Sequence, residues 1–313
     1  MSGYILNRLL QLVPVLVLIS LIVFGVMHTL PGDPAELMLQ GAEGGAVTPE
    51  RLAELRHEMG LDDPLVVQYL RFAGSALVGD LGESIRFRTP VSALIAERFR
   101  YTMELAMAGL VCALLIGVPL GMIAAIRANG PFDTLAMGIA YVGASMPIYW
   151  FGLVLILVFA FNLGWFPAAG AQDWNSLVLP AVTLGFAAAG LISRLVRSSM
   201  IEVLQEDYIR TGRAKGLAES VVLWRHGLKN ALIPVVTMVG LQFGGLLAGT
   251  VVTETVFSRP GIGRLIVSGI LTKDYPLVEG CALFLAVIYL LVNLVVDILY
   301  AWLDPRIRYG RAA

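Results

Sequence analysis

The sequence is poor in what soluble chemistry needs. Only 14% of its 313 residues are charged, against about 25% in an ordinary soluble domain. Lysine occurs three times, as Lys215, Lys229 and Lys273, preceded by Ala, Leu and Thr, so no GxxxxGK[ST] loop exists to cradle a nucleotide phosphate. The three histidines, His28, His57 and His226, are too dispersed in sequence to suggest a preformed metal site. Two cysteines, Cys112 and Cys281, each lie inside an apolar run, which excludes a disulfide framework and a CxxC metal site. No GxSxG, HExxH or paired-carboxylate spacing occurs, and catalysis within this chain is not expected. A net charge of −1, from 22 Lys+Arg and 23 Asp+Glu, offers no broad basic surface for nucleic acid.

What the chain has instead is apolar length. Hydrophobic residues make up 58%, in stretches longer than any soluble core of this size could hide. A spanning helix takes roughly 20 predominantly apolar residues. The sequence predicts spans over Leu9–Leu30, Leu105–Ile126, Leu177–Ser193, Ala231–Thr253 and Gly280–Leu303, the last carrying Asp297. The first could be read as a signal peptide behind Arg8, but it is long for one and no small-x-small cleavage site follows. From Thr134 to Gln172 run 39 residues without a formal charge, too long for one straight helix and too short for two helices plus a turn.

Charge distribution orients these spans. Seven basic residues, Arg194, Arg197, Arg210, Arg213, Lys215, Arg225 and Lys229, separate the fourth span from the fifth. Arg127 follows the second, and Arg306, Arg308 and Arg311 lie in the tail. The positive-inside bias makes these regions cytoplasmic. Thr134–Gln172 must then cross once, with Asn162–Gln172 as an external loop. The predicted fold is all-α and polytopic, with six spans and both termini cytoplasmic. Along the chain this divides into residues 1–30, an external helical loop 31–104, a core 105–303 containing the cytoplasmic loop 194–230, and a tail 304–313. Within the external loop, Thr48-Pro49 and Asp63-Pro64 read as helix starts, closed by Gly60 and Gly79. That loop is a small folded cap.

The informative cytoplasmic segment runs from Ile201 to Pro234. Ile201, Leu204 and Tyr208, then Leu217, Val221, Trp224 and Leu228, recur at helical spacing and predict two short amphipathic helices, with Gly212 and Gly216 near the bend. On composition alone this is an interfacial helix pair whose arginines touch anionic lipid. Its wording points elsewhere. Glu206-Asp207-Tyr208-Ile209-Arg210-Thr211-Gly212-Arg213-Ala214-Lys215-Gly216-Leu217, then His226, Asn230 and Pro234, resembles the coupling loop of ABC-importer permeases of the dipeptide, oligopeptide, glutathione and nickel branch. The general pattern EAA-x3-G-x9-I-x-L-P is met in part: Arg210-Thr211-Gly212 stands where Glu-Ala-Ala would, Gly216 fits, and Pro234 lies several residues late.

The resemblance extends over nearly the whole chain. Met27-His28-Thr29-Leu30-Pro31-Gly32-Asp33-Pro34 looks like the exit of the branch's first helix, and Gly79-Asp80-Leu81-Gly82-Glu83-Ser84 like its outer-loop motif. Glu254-Thr255-Val256-Phe257-Ser258-Arg259-Pro260-Gly261-Ile262-Gly263-Arg264, Asp274-Tyr275-Pro276 and Asp304-Pro305-Arg306-Ile307-Arg308 follow in the family's order. The resemblance implies a type I ABC importer permease fold in the inner membrane. It implies a second homologous permease, two ATP-binding subunits that hold ATP and Mg, and an extracytoplasmic substrate-binding protein. The substrate expected is a di- or oligopeptide, with glutathione and nickel chelates as alternatives. Residues Glu206 to Leu217 would dock on an ATPase, and this chain would hold no cofactor and no metal itself.

Other residues have two readings. Tyr141, Tyr149 and Trp150 could line a peptide path, or pack and face lipid, and Pro147 could be a gate hinge or a tolerated kink. Asp297, Glu104 and His28 lie toward helix ends, where an interfacial position suffices. A stand-alone secondary transporter is the rival of a different class, but it would show repeated halves or a midspan carboxylate cluster, and neither is visible.

Overall fold

A computed structural model describes residues 2–29, 32–43 and 48–303. Leu30, Pro31 and the tail with Arg306, Arg308 and Arg311 lie outside the described residues, as does the side chain of Asp297. The described chain is built of helices. Its long members are α1 (Ser2–Thr29), α5 (Val91–Ile126), α8 (Val178–Leu204), α11 (Lys229–Val256) and α13 (Tyr275–Leu303). Five segments are long and apolar enough to cross a membrane, and a bent pair makes a sixth when counted as one span.

That pair is α6 (Pro131–Ser145) and α7 (Ile148–Leu155), the latter continued by a π-helical turn over Ile156–Asn162. The two arms meet at 108°. Met146 is extended (ψ 134°) and Pro147 is the residue before α7. A residue preceding proline is pushed out of the α region by the pyrrolidine ring, so the break sits where Pro147 puts it. This resolves the surplus length of Thr134–Gln172.

Helices outrun the hydropathy windows wherever charge begins. α5 starts 14 residues before the expected Leu105 and carries Glu97, Arg98, Arg100 and Glu104, while α8 continues past Ser193 through Arg194, Arg197 and Glu202. A hydropathy window reports the hydrocarbon-facing length, and helical backbone bonding does not stop where the hydrocarbon does.

The chain divides into two compact units, residues 1–100 with 260–291 and residues 101–259 with 292–313. In the first, α2 (Pro34–Glu43) and α3 (Pro49–Glu58) pack around Ala35, Leu39 and Leu55. Thr48 precedes α3 with Pro49 at its first position, and Gly60 ends that turn at φ +67°. α4 (Leu65–Leu77) follows with Pro64 as its cap residue and Gly79 beyond its end at φ +82°. A helix not anticipated, α12 (Ile262–Thr272), packs Ile262 and Leu265 with Val91, Ile95, Leu277 and Cys281. Asp274 ties two distant words of the sequence together. Its carboxylate accepts from the Ser84 hydroxyl and from the backbone N–H of Ile85 and Arg86, each at 3.1 Å, and also of Leu277 at 3.3 Å.

The second unit is organised around α8. Leu184, Ala188, Ile192, Val196 and Met200 form a buried core with Leu105, Ala113 and Met122 of α5 and with Ala231, Val235 and Leu246 of α11. Glycines let these backbones touch. A Cβ at Gly121 would lie 2.4 Å from the Ser193 carbonyl oxygen, one at Gly185 2.5 Å from that of Gly109, and one at Gly190 2.4 Å from that of Ala140. Helices in lipid associate through such close packing of small residues, since burying apolar surface gains little there. Polar ties complete the unit: Arg197 donates twice to Asp133, at 2.6 Å each, and Thr102 donates to Glu254 at 2.7 Å.

Candidate functional site

The segment between α8 and α11 forms α9 (Asp207–Ala214), then α10 (Glu219–Val221) leading into a π-helical turn over Val222–Leu228. Glu206 is extended (φ −66°, ψ 146°) and starts α9 through its carbonyl, which accepts from Ile209 at 3.0 Å. Asp207 in the first turn and Arg213 in the last complement the partial charges of the helix ends. Ile201 and Leu204, expected on this helix, belong to the end of α8 instead, because the chain turns at Gln205 and Glu206.

The far end of α9 is closed by paired backbone bonds. Leu217 N–H reaches back to the Gly212 carbonyl (3.3 Å) and Gly216 N–H to that of Arg213 (3.0 Å). This Schellman arrangement needs a left-handed residue just beyond the helix, and Gly216 supplies it at φ +78°. A Cβ on Gly216 would meet nothing within 4 Å in this chain, so backbone conformation and not local crowding sets its identity. Gly212 lies within the helix, where a Cβ would make ordinary contact with Leu217 at 3.5 Å. The bend therefore depends on one glycine where the sequence reading used two.

One side of α9 is pinned and the other is free. Ile209 is fully buried. Tyr208 Oη accepts from Asn230 Nδ2 at 2.9 Å, and that amide also donates to the His226 carbonyl at 3.0 Å. Arg213 reaches across the turn to Glu219 through Nε (3.2 Å) and Nη2 (2.7 Å). The guanidinium hydrogen bonds hold the Glu219 carboxyl below its ordinary range, and Glu219 in turn raises Arg213. Asp207, Arg210, Thr211, Ala214 and Lys215 are exposed. Beside them Tyr208, Leu217, Val221 and Trp224 expose apolar surface, Trp224 at 60%. A rigid, charged helix with an adjoining apolar patch suits docking by a protein groove.

The candidate path residues stand on the bent pair. Tyr141, Tyr149 and Trp150 are all about half exposed in this chain, and Pro147 sits at the break itself. The Tyr141 ring lies 5.5 Å from the Arg194 guanidinium. Sequence reasoning passed over Asp133 and Thr102, counted Arg197 only as a charge, and noted Glu254 only as a letter in a motif. Arg259, noted only as a letter in a motif, is 3% exposed and donates to Glu104 at 2.8 Å.

Comparison with known proteins decides the family. Residues 117–309 match the family described as the binding-protein-dependent transport system inner membrane component, and residues 1–106 match the N-terminal part of such membrane components. The chain belongs to this family. It is 46% identical over 309 residues to the glutathione transport system permease protein GsiC of Salmonella paratyphi A (strain ATCC 9150 / SARB42), covering 99% of this chain and all of that protein. The protein of the same name from Escherichia coli (strain K12) is also 46% identical over the same span, with the same coverage. Among solved structures, an inward-facing conformation of the MetNI methionine ABC transporter superposes with a TM-score of 0.59 at 17% identity, covering 68% of this chain and 97% of that one. An amino acid ABC transporter crystallised with histidines gives 0.51 at 14% identity, covering 69% and 94%. Both show the fold. The protein is thus a multi-pass membrane subunit of a binding-protein-dependent ABC importer, of the branch that includes the dipeptide, oligopeptide and glutathione permeases.

Proposed function

We propose that this permease imports glutathione or a peptide of similar size, and that it couples uptake to ATP hydrolysis through α9. The observation that carries the substrate reading is the full-length identity of 46% to permeases named for glutathione transport. Dipeptide transport, expected from the motifs alone, has no comparable support and becomes the competing outcome. In this reading a second permease completes the path, two ATPase subunits bind ATP and Mg, and an external binding protein delivers the substrate. Both termini and the loop 194–230 face the cytoplasm. ATPase closure shifts the population between inward- and outward-facing states because the ATPases contact each state differently.

The test is uptake by cells or vesicles carrying the complete transporter with its cognate binding protein. Labelled glutathione should accumulate in an ATP-dependent way, with unlabelled glutathione competing better than dipeptides. Accumulation of dipeptides with no competition by glutathione would overturn the substrate assignment. ATP-independent uptake by this chain alone would overturn the whole reading.

A further inference from the structure

In the first compact unit, α4 leaves its apolar side uncovered. Val66, Leu70, Ala73 and Leu77 recur at the spacing of one helical face. Val66 is 69% exposed, Leu70 63% and Leu77 89%, and Leu65 and Val78 extend the patch at its two ends. No charged or hydrogen-bonding side chain interrupts the stripe. Arg71 leaves the helix on another face and is bound to Asp63 at 2.6 Å. A water-facing loop rarely shows a contiguous apolar surface of this kind.

Contacts with α1 fix where α4 stands. The hydroxyls of Tyr69 and Ser20 share a hydrogen bond of 2.9 Å, and the Tyr69 ring meets that of Phe24 edge-on at 5.5 Å. Further along α1, His28 Nε2 bonds Gln68 Oε1 at 3.1 Å. Gln68 Nε2 in turn donates to the Leu61 and Asp63 carbonyls, so the start of α4 is held firmly against α1. Ser20 lies nine residues before Thr29, the last residue of α1, which is about 13 Å along a helix axis. The apolar span covers Leu10–Thr29, so Tyr69 reaches alongside its hydrocarbon length. Around this contact α1 is itself open and apolar, with Val17, Leu21 and Ile22 all exposed. The 13 residues of α4 make about 20 Å of helix, too short to cross a core of about 30 Å.

We propose that α4 is an interfacial anchor, with its stripe from Val66 to Leu77 buried among the acyl chains of the leaflet that adjoins the C-terminal end of α1. A short helix with one apolar face lies in the plane of the interface, its charged groups toward the headgroups; here Arg71 and Asp63 take that position. Depth and texture together select lipid as the occupant. A soluble protein does not reach a surface held alongside a span. The close helix contacts of this chain run through glycine, as at Gly121, Gly185 and Gly190, whereas the stripe presents branched and long side chains that fluid acyl chains accommodate. The patch is also continuous with the exposed apolar surface of α1.

The test needs neither ATP nor substrate, so its failure leaves the transport reading untouched. Nitroxide labels are attached after Leu70→Cys or Leu77→Cys, in a full-length chain carrying Cys112→Ala and Cys281→Ala. Ile22→Cys serves as the hydrocarbon reference and Glu50→Cys as the water reference. All four labelled positions are exposed, so no packed side chain is displaced. Each variant, purified with the subunits that accompany it, is placed in nanodiscs of phosphatidylethanolamine and phosphatidylglycerol. Power-saturation EPR then compares collisions with oxygen, which concentrates in hydrocarbon, and with a water-soluble nickel chelate. Oxygen should prevail at 70 and 77 as it does at 22, with the order reversed at 50. Prevalence of the chelate at 70 and 77 would overturn the proposal by showing a water-facing stripe. Low collision with both reagents would overturn it equally, by showing that another subunit covers the stripe.

Discussion

At the scale of single residues, Gly216 carries the sharpest expectation. Its φ of +78° closes α9, and a β-branched side chain in that region costs about 1–2 kcal/mol or more. Gly216→Val should leave the permease inserted in the membrane but uncouple ATP hydrolysis from uptake or lose the ATPase. Gly212→Ala, whose new Cβ would sit 3.5 Å from Leu217, should keep both. Measuring substrate-stimulated ATPase activity and co-purification for the two variants separates a requirement for this turn from general sensitivity of the helix. If Gly216→Val couples normally, the docking assignment fails and a lipid-surface role for α9 regains the lead.

The neighbouring Arg213–Glu219 pair has a defined dependence on pH. Glu219 titrates lower in the folded protein than in the unfolded chain because Arg213 donates to it. Its contribution is present above the unfolded glutamate value, near pH 4.3, and is lost as pH falls through the depressed folded value. At neutral pH the pair is intact, so charge is the handle. Arg213→Glu should weaken ATPase association more at low salt than at high, since screening is least there. The reversed pair Arg213→Glu with Glu219→Arg restores the turn but not the surface charge. Co-purification across salt concentrations should therefore show incomplete rescue if Arg213 also faces a partner, and full rescue if it only holds the turn.

At the scale of elements, the decisive contacts are backbone to backbone. Gly121→Leu would drive a side chain into the Ser193 carbonyl and Val196, where a Cβ already comes within 2.4 Å and 2.7 Å, and should abolish recovery of folded protein in detergent. Gly138→Ala on α6 meets nothing within 4 Å and should leave recovery unchanged. Size-exclusion profiles of the two variants check this. Asp133→Ala removes both acceptors of a partly exposed guanidinium, with an expected cost of roughly 1–3 kcal/mol, read as a lowered melting temperature.

These elements also mark how far the sequence could be read. Apolar runs located every long helix, and the Pro and Gly punctuation located α3 and α4, because both signals are local. Helix ends were misjudged at Val91 and Leu204 because charge stops a hydropathy window and does not stop a helix. α9 was legible through its wording, while its closure by Gly216 alone was not, since spacing cannot tell a glycine at positive φ from one within a helix. Ser84 and Asp274 were each quoted in a motif, yet their contact across 190 residues has no sequence signature. The same holds for Arg197 with Asp133. Such pairs are products of tertiary packing and appear only with the fold.

At the scale of the whole molecule, orientation in the membrane rests on charge counting and can be measured directly. Seven basic residues between Arg194 and Lys229 predict a cytoplasmic α9, and with Arg127 on the same side the bent pair α6–α7 is expected to cross once. The 108° break makes this expectation specific. If the pair were a re-entrant loop that returns to its starting side, the region 163–173 would be cytoplasmic and α8 would run in the opposite direction. Single cysteines at Glu50, Asp173 and Ser220, in a chain lacking Cys112 and Cys281, distinguish the two. Glu50 and Ser220 are exposed in the structure, so a membrane-impermeant maleimide can reach them on whichever side they lie. Intact cells should label positions 50 and 173 and leave 220 unreacted until the membrane is opened. Labelling of 220 from outside would remove α9 from the reach of any cytoplasmic ATPase, and together with failure at 173 it would turn the bent pair into a re-entrant loop.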